Sequence, residues 1–250
     1  DLAPVACDDL PTEVAPVGAA VNVLLARLKS TFEAERTFAA NAAHELRTPL
    51  AGAIAQAQRL QVETQDVAIA QRVAEIEASL KRMTRITERL LQLARAEGGR
   101  LRLDQTSDLR IATGLIAADI ERAAPGRIRL ILPERPVMSD LDPDTFGIVC
   151  RNLVENALRH GAPDRPVDVS LAMDGIFRVA NDGPVVPAEV LGRLTRRFER
   201  GEAGTEGSGL GLAIVAGIAD RISSQLVLKS PKPGRSSGFE ATLVLPVDPQ

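Results

Sequence analysis

Apolar residues recur at Val21, Leu24, Leu28, Phe32, Ala39, Leu46, Leu50, Ala53, Ala57 and Leu60, mostly at spacings of three, four or seven, the period of one helix face. A second run, Ile69, Val73, Ile76, Leu80, Met83, Ile86, Leu90 and Leu93, carries Glu75, Lys81, Arg82 and Arg85 between its apolar positions. The break between the runs, from Gln61 to Asp66, predicts a helical hairpin. Two helices with apolar stripes cannot bury both faces alone, so the expectation is a homodimer in which two hairpins form a four-helix bundle. Residues 1–16 hold four acids and three prolines with no apolar period, and read as an irregular lead-in to a helix starting near Val17.

Gly98-Gly99 suits a helix C-terminus, and beyond it the pattern changes to short alternating runs, so a second domain starts at about Arg100. Strands are expected at Leu101 to Leu103, Ile128 to Leu132, Val137 to Ser139, Val167 to Met173, Ile176 to Ala180, Gln225 to Ser230 and Gly238 to Leu245. Helices are expected at Leu109 to Ala123, Pro143 to His160, Ala188 to Phe198 and Leu210 to Ile222. Asp142-Pro143 offers an N-cap followed by proline at the first helical position. Asp174-Gly175 reads as a two-residue hairpin turn with both residues at positive φ. The expected fold class is multidomain: an all-α helical hairpin forming a dimeric four-helix bundle, then an α+β sandwich, a mixed sheet with helices on one face.

At 250 residues and 45% hydrophobic, the chain can build a real core. A net charge of -3 and 2% aromatics, with no Trp or Tyr, provide neither a cationic excess nor stacking platforms, so nucleic acid is not an expected partner. Cys7 and Cys150 stand in unrelated contexts and read as reduced thiols of a cytosolic compartment, and no metal site of Cys and His can be built. No apolar run approaches the roughly 20 residues of a membrane helix. The chain opens at Asp1 without a start methionine or signal-like region. The expectation is the cytoplasmic portion of an inner-membrane protein, touching the membrane only through an absent N-terminal region.

Three segments suggest phosphate chemistry. Gly207-Ser208-Gly209-Leu210-Gly211-Leu212 places glycines directly before a helix, where backbone N–H groups and the helix N-terminus favour an anion; it fits neither the G-x-G-x-x-G fingerprint nor a GxxxxGK[ST] loop. Asn152, Asn156 and Arg159 recur at i, i+4 and i+7 on one helix side, and two amides with a guanidinium suit a hydrated Mg²⁺ and the phosphates it bridges. Asn181-Asp182-Gly183-Pro184 turns sharply after an expected strand and presents a short polar side chain of the kind that reads a purine edge. Upstream, His44 lies within Asn41-Ala42-Ala43-His44-Glu45-Leu46-Arg47-Thr48-Pro49-Leu50, amid a long helical pattern, with an acid beside it.

In this order the segments resemble the cytoplasmic core of bacterial two-component sensor histidine kinases. His44 to Leu50 is similar to the family's H box, Asn152 to His160 to its N box, Asn181 to Pro187 to its G1 box, Arg197-Phe198-Glu199-Arg200 to its F box, and Gly207 to Leu212 to its G2 box. The resemblance runs from about residue 10 to residue 247. It implies a signalling linker over 1–35, a dimerisation and histidine phosphotransfer hairpin over 36–99 and a GHKL-type ATP-binding domain over 100–250. It also implies ATP and Mg²⁺, with an aspartate of a response regulator receiver domain as the onward acceptor. Residue by residue, it makes His44 the phosphoacceptor, Asn156 the Mg²⁺ ligand, and Asn152 and Arg159 phosphate-side contacts. His160 lies near the nucleotide, Phe198 and Arg200 belong to a lid, and Gly207, Gly209 and Gly211, with Leu210 and Leu212 between and after them, hold the phosphates. Three departures stand out: Asn181 and Val185 where the family has Asp and Gly, and Ser223-Ser224 where Gly-Gly is common.

Asn181 can accept from the adenine amino group with its amide oxygen and donate to adenine N1; Asp182 serves instead if the turn shifts by one, and Gly183 completes the turn. Neutral imidazole is a usable nucleophile near pH 7, with Glu45 beside it as the general base. Thr48, one turn on, can orient a water for a reverse, phosphatase reaction. The alternative reading is a dimeric nucleotide-binding scaffold of degenerate kinase activity, with Asn181 and Val185 as signs of decay.

Overall fold

The computed structural model describes residues 15–98, 101–196 and 209–247, and the chain divides into two compact units, residues 1–99 and 100–250. The first is a helical hairpin of α1 (Ala15–Glu63) and α2 (Val67–Gly98). α1 begins two residues before Val17 and continues without interruption through residues 35 and 36 and through Pro49, whose missing N–H leaves the Glu45 carbonyl without its usual partner. It also outlasts the expected break at Gln61, because Thr64 N–H still reaches the Leu60 carbonyl at 3.0 Å. Asp66 then caps α2, its carboxylate accepting from Ala68 N–H at 2.8 Å and Ile69 N–H at 3.2 Å. Gln58 Nε2 donates to Glu77 Oε1 at 2.8 Å across the hairpin, and Ala57 and Val73 are buried. Leu46, Leu60, Ile69, Ile76, Met83 and Ile86 are exposed on this single hairpin.

The second unit contains β1 (Arg102–Asp108), α3 (Leu109–Ala123), β2 (Ile128–Ile131), β3 (Met138–Leu141), α4 (Pro143–His160), β4 (Val167–Leu171), β5 (Ile176–Asn181), α5 (Ala188–Leu191), α6 (Gly211–Arg221), β6 (Leu226–Lys229) and β7 (Phe239–Val244). β1 and β3 form an antiparallel pair; the other five strands make one mixed sheet in the order β2-β4-β5-β7-β6, with only β2 and β4 parallel. Along β4, β5 and β7 the residues Val167, Val169, Leu171, Phe177, Val179, Phe239, Ala241 and Leu243 are all buried, alternating for the most part with more exposed neighbours. That period of two puts one face of the sheet under the helices, with α4 packed on β4 and β5 between α3 and α6. Phe146 of α4 meets Phe177 of β5 edge-to-face, ring centroids 5.4 Å apart.

Four expectations are corrected. β1 runs to Asp108 rather than stopping at Leu103; its residues 102–106 are exposed, so no buried alternation marked the strand. β3 starts at Met138, because Val137 instead donates its N–H to Asp108 Oδ1 at 3.1 Å and accepts from Leu109 N–H at 3.0 Å, closing the start of α3. The β4–β5 turn has three residues, not two. Gly175 N–H reaches the Ala172 carbonyl at 3.1 Å, and only Gly175, at φ +80, is left-handed, so Met173-Asp174-Gly175 is a β-turn followed by a glycine bulge. The helix expected from Ala188 to Phe198 ends at Leu191; beyond Gly192 the chain continues in turns closed by bonds such as Arg196 N–H to the Arg193 carbonyl, while Phe198 lies outside the described residues. The remaining strands and α6 differ from expectation by one or two residues at their ends.

Candidate nucleotide and phosphotransfer site

Asp142 caps α4, accepting from Thr145 N–H at 3.0 Å and from its hydroxyl at 2.7 Å, with Pro143 in the first turn where an N–H is not needed. The helix stops at Gly161, whose N–H reaches the Ala157 carbonyl at 2.8 Å. A Cβ at Gly161 would stand 2.6 Å from that carbonyl and 3.1 Å from the Asn181 Cβ, so glycine is what lets the end of α4 lie against the end of β5. Ala162 N–H then donates to the Asp182 carbonyl at 2.6 Å. From the other side, Gly238 N–H donates to the Gly183 carbonyl at 2.9 Å, and Val186 N–H to the Ser230 hydroxyl at 2.9 Å. The turn after β5 is thus held between α4 and the β6–β7 connection.

Within that turn the two candidate base contacts are distinct. Asn181 is 3% exposed; its Nδ2 donates to the Asp182 carbonyl at 3.3 Å, and its Oδ1 is buried with no partner. A sealed acceptor without a donor costs about 1–3 kcal/mol, which makes this oxygen a candidate to accept from a bound ligand. Asp182 is engaged elsewhere. Its carboxylate lies 2.5 Å from Lys232 Nζ, and that hydrogen bond, aided by the charges of Lys232, Arg165 and Arg235, holds the carboxyl below its ordinary value against a smaller opposing effect of burial. Lys232 also stands 4.0 Å from Asp168.

The third element is the start of α6. Gly209 takes φ +66, and among the described residues no side chain caps the first turn, which carries the positive end of the helix dipole. Leu210 and Leu212 are buried, which leaves them only their backbone to offer an anion. On α4, Asn152 is 5% exposed and donates its amide to the Ile148 carbonyl at 2.8 Å, so it belongs to the packed side of the helix rather than to an open polar face. Asn156 is half-buried, and Arg159 is exposed. Partial desolvation, reinforced by the adjacent Arg159 charge, lowers the His160 value, so its ring is neutral at pH 7. Among the described residues no group of three or more His, Cys, Asp or Glu could hold a metal. An amide oxygen working with substrate phosphates still suits Mg²⁺, which keeps most of its shell from water and phosphate.

In the first unit His44 sits on α1 with Glu45 and Thr48 exposed beside it. The side chain of His44, together with Phe198, Arg200 and Gly207, lies outside the described residues. No helix among the described residues is long and apolar enough to cross a membrane.

Comparison with known proteins supplies the family. Residues 34–99 match the His Kinase A (phospho-acceptor) domain, and residues 141–249 match the histidine kinase-, DNA gyrase B- and HSP90-like ATPase domain. Sensor protein BasS of Escherichia coli (strain K12) is 31% identical over 256 aligned positions, covering 99% of this chain and 68% of BasS. The chain belongs to the sensor histidine kinases. Sensor protein QseC of the same organism is 32% identical over 249 positions, 95% of this kinase chain and 54% of QseC, so the chain spans about half that relative's length. Two solved structures share the fold: full-length ShkA in complex with AMPPNP (TM-score 0.64, 22% identity, 86% of this chain and 46% of that one) and Acinetobacter baumannii histidine kinase AdeS (TM-score 0.53, 22% identity, 82% and 98%).

Against that family pattern the Ser223 departure has a structural consequence: Ser223 closes α6 at φ +57, the left-handed conformation a glycine adopts freely. Lys232 is the site residue that motif reading missed. It sits in Pro231-Lys232-Pro233-Gly234, which reads as an ordinary turn, and only the sheet brings it to Asp182. Cys150 plays no chemical part, since burial pushes its thiol up to about 12.

Proposed function

We propose that this chain is the catalytic core of an ATP-dependent kinase that phosphorylates its own His44 and passes the phosphoryl group to an aspartate of a response regulator receiver domain. The observation that carries the reading is the buried Asn181 Oδ1, without a partner among the described residues, in the same unit as the α6 N-terminus, while the other unit carries His44 on the long helix α1. In this reading residues 1–35 are a signalling linker, 36–99 the dimerisation and phosphotransfer hairpin, and 100–250 the ATP-binding domain. Asn181, rather than Asp182, reads the adenine amino group, with Gly183 shaping the turn. Asn156 would hold Mg²⁺, which would supply charge neutralisation to the nucleotide phosphates. Arg159, His160 and the backbone N–H groups of Gly209, Leu210, Gly211 and Leu212 bind the nucleotide. Asn152 supports Asn156 from the packed side of α4, and Phe198, Arg200 and Gly207 complete the contacts.

Phosphoryl transfer asks mainly for positioning and charge neutralisation. The unprotonated imidazole nitrogen of His44 forms the new N–P bond as the bond between the γ-phosphorus and the β–γ bridging oxygen breaks. The electron pair leaves with ADP, and the proton of the other ring nitrogen passes to Glu45. Thr48 orients water for dephosphorylating the partner. Apolar residues left exposed on the hairpin support a homodimer. The localisation proposed is the cytoplasmic side of the inner membrane, as part of a longer protein.

Labelling with γ-phosphate-labelled ATP is the test. Acid-labile, base-stable label should appear on the wild-type chain and vanish in His44→Gln with nucleotide binding unchanged. Stable labelling of that variant would dismiss His44 as acceptor, and nucleotide binding without any labelling would favour the scaffold reading.

A further inference from the structure

The turn after β5 has little to hold it from within. Pro184 has no N–H, and among the described residues no backbone hydrogen bond joins Gly183, Pro184, Val185 and Val186 to one another. Both ends of the turn are fastened instead to the β6–β7 connection. Gly238 N–H donates to the Gly183 carbonyl at 2.9 Å. The Ser230 hydroxyl accepts from Val186 N–H at 2.9 Å and donates to the Gly238 carbonyl at 2.8 Å. One hydroxyl can do both at once, since it carries a single donor hydrogen beside two acceptor lone pairs. Gly238 is thereby held at its N–H by one end of the turn and at its carbonyl by Ser230, which grips the other end.

Gly238 also stands directly behind Asn181. A Cβ on it would lie 2.6 Å from the Asn181 carbonyl oxygen, and the next residue, Phe239, is the partner of Asn181 in the β5–β7 ladder. The connection closes on itself through Lys232 N–H to the Ser237 carbonyl at 3.2 Å, with Ser230 half-buried at its root. A shift of Gly238 therefore reaches the residue whose Oδ1 is buried without a partner among the described residues. We propose that Ser230 is a positioning residue for the purine: its hydroxyl locks Gly238 to Val186 and so sets where Asn181 Oδ1 stands, without touching the nucleotide. The inference rests on the proposed reading of Asn181 as the base contact. Removing the hydroxyl leaves Val186 N–H and the Gly238 carbonyl to water and lets the turn relax, so that the amide oxygen meets the base out of line. The Lys232–Asp182 pair, at 2.5 Å, is not altered by that change and keeps the connection against the turn, so the effect is a graded loss of affinity and not a loss of the site.

The test is calorimetric titration of the 250-residue chain with ATP and Mg²⁺ in a double-mutant cycle of Ser230→Ala and Asn181→Ala. Ser230→Ala should weaken ATP binding about tenfold at an unchanged number of sites, because a chain that merely folds less well loses sites and not affinity. Ser230→Thr, which keeps the hydroxyl, should bind within about threefold of the unaltered chain. In the Asn181→Ala background the change at Ser230 should cost less than about twofold, since the group being positioned is gone. Full affinity in Ser230→Ala, with or without fewer sites, overturns the inference, as does an equal loss in both backgrounds; either result leaves the base reading of Asn181 intact so long as Asn181→Ala itself binds ATP less well. ATP affinity unmoved by Asn181→Ala brings down the base reading, and this inference with it. Where Asn181→Ala binds too weakly to titrate, the two variants at Ser230 decide, and a loss in Ser230→Ala that Ser230→Thr does not restore overturns the inference.

Discussion

Lys232 Nζ stands 2.5 Å from the Asp182 carboxylate and ties the β6–β7 connection to the turn that follows β5. With side-chain exposures of 14% and 44% the pair is partly screened, so its stabilisation is about 1 kcal/mol or less. Its larger effect is positional. Lys232→Met should weaken ATP binding several-fold, and Lys232→Arg should restore it. Because the folded carboxyl titrates below its ordinary value, the stability it contributes is present above about pH 4 and is lost as pH falls through that lower value. Urea midpoints of wild type and Lys232→Met should therefore differ at neutral pH and converge in acid. A constant difference down to about pH 2 would show that the ion pair is not the cause.

Gly183 has no room for a side chain: a Cβ there would lie 2.9 Å from the His160 carbonyl and 3.2 Å from Asn181 Nδ2. Gly183→Ala should displace the base-reading amide, cost about 1–3 kcal/mol of stability and weaken ATP binding at least ~10-fold. Calorimetric titration beside a denaturation curve checks both. Unchanged affinity would mean that this turn does not touch the nucleotide.

Asn156 is half-buried on α4, one turn after the packed Asn152. Asn156→Ala should abolish the part of ATP affinity that depends on Mg²⁺ while leaving metal-free binding nearly intact, because the proposed role of this amide is to hold the ion. Titrations with Mg²⁺ and with a chelator separate the two. Equal loss in both would reassign Asn156 to the fold.

Ser223 bears left-handed strain at the end of α6, at φ +57. Ser223→Gly should raise unfolding stability by about 0.5–1 kcal/mol, the balance of relieved strain against the greater freedom of an unfolded glycine. Thermal unfolding reads the sign directly, and a destabilised variant would show that the serine backbone is not strained.

Much of this was legible in the chain. α3 and α4 begin and end where their caps and apolar periods predict, since Asp142-Pro143 and the i, i+4 stripes are local signals. The order of the boxes by itself points to the histidine kinases. β1 is longer than its pattern predicts because a strand exposed along most of its length shows no alternation, and α5 is shorter because the apolar period continues past Gly192 while the helical backbone does not.

The sequence by itself determined the elements, the family and the identities of the polar groups, because periodicity, caps and glycines act within a few residues of chain. Only the tertiary structure gave Asn181 and Asp182 different surroundings: burial left one amide oxygen without a partner among the described residues, and a lysine from another connection engaged the neighbouring carboxylate. Solvent exclusion and charge pairing between distant segments exist only once the sheet has brought those segments together.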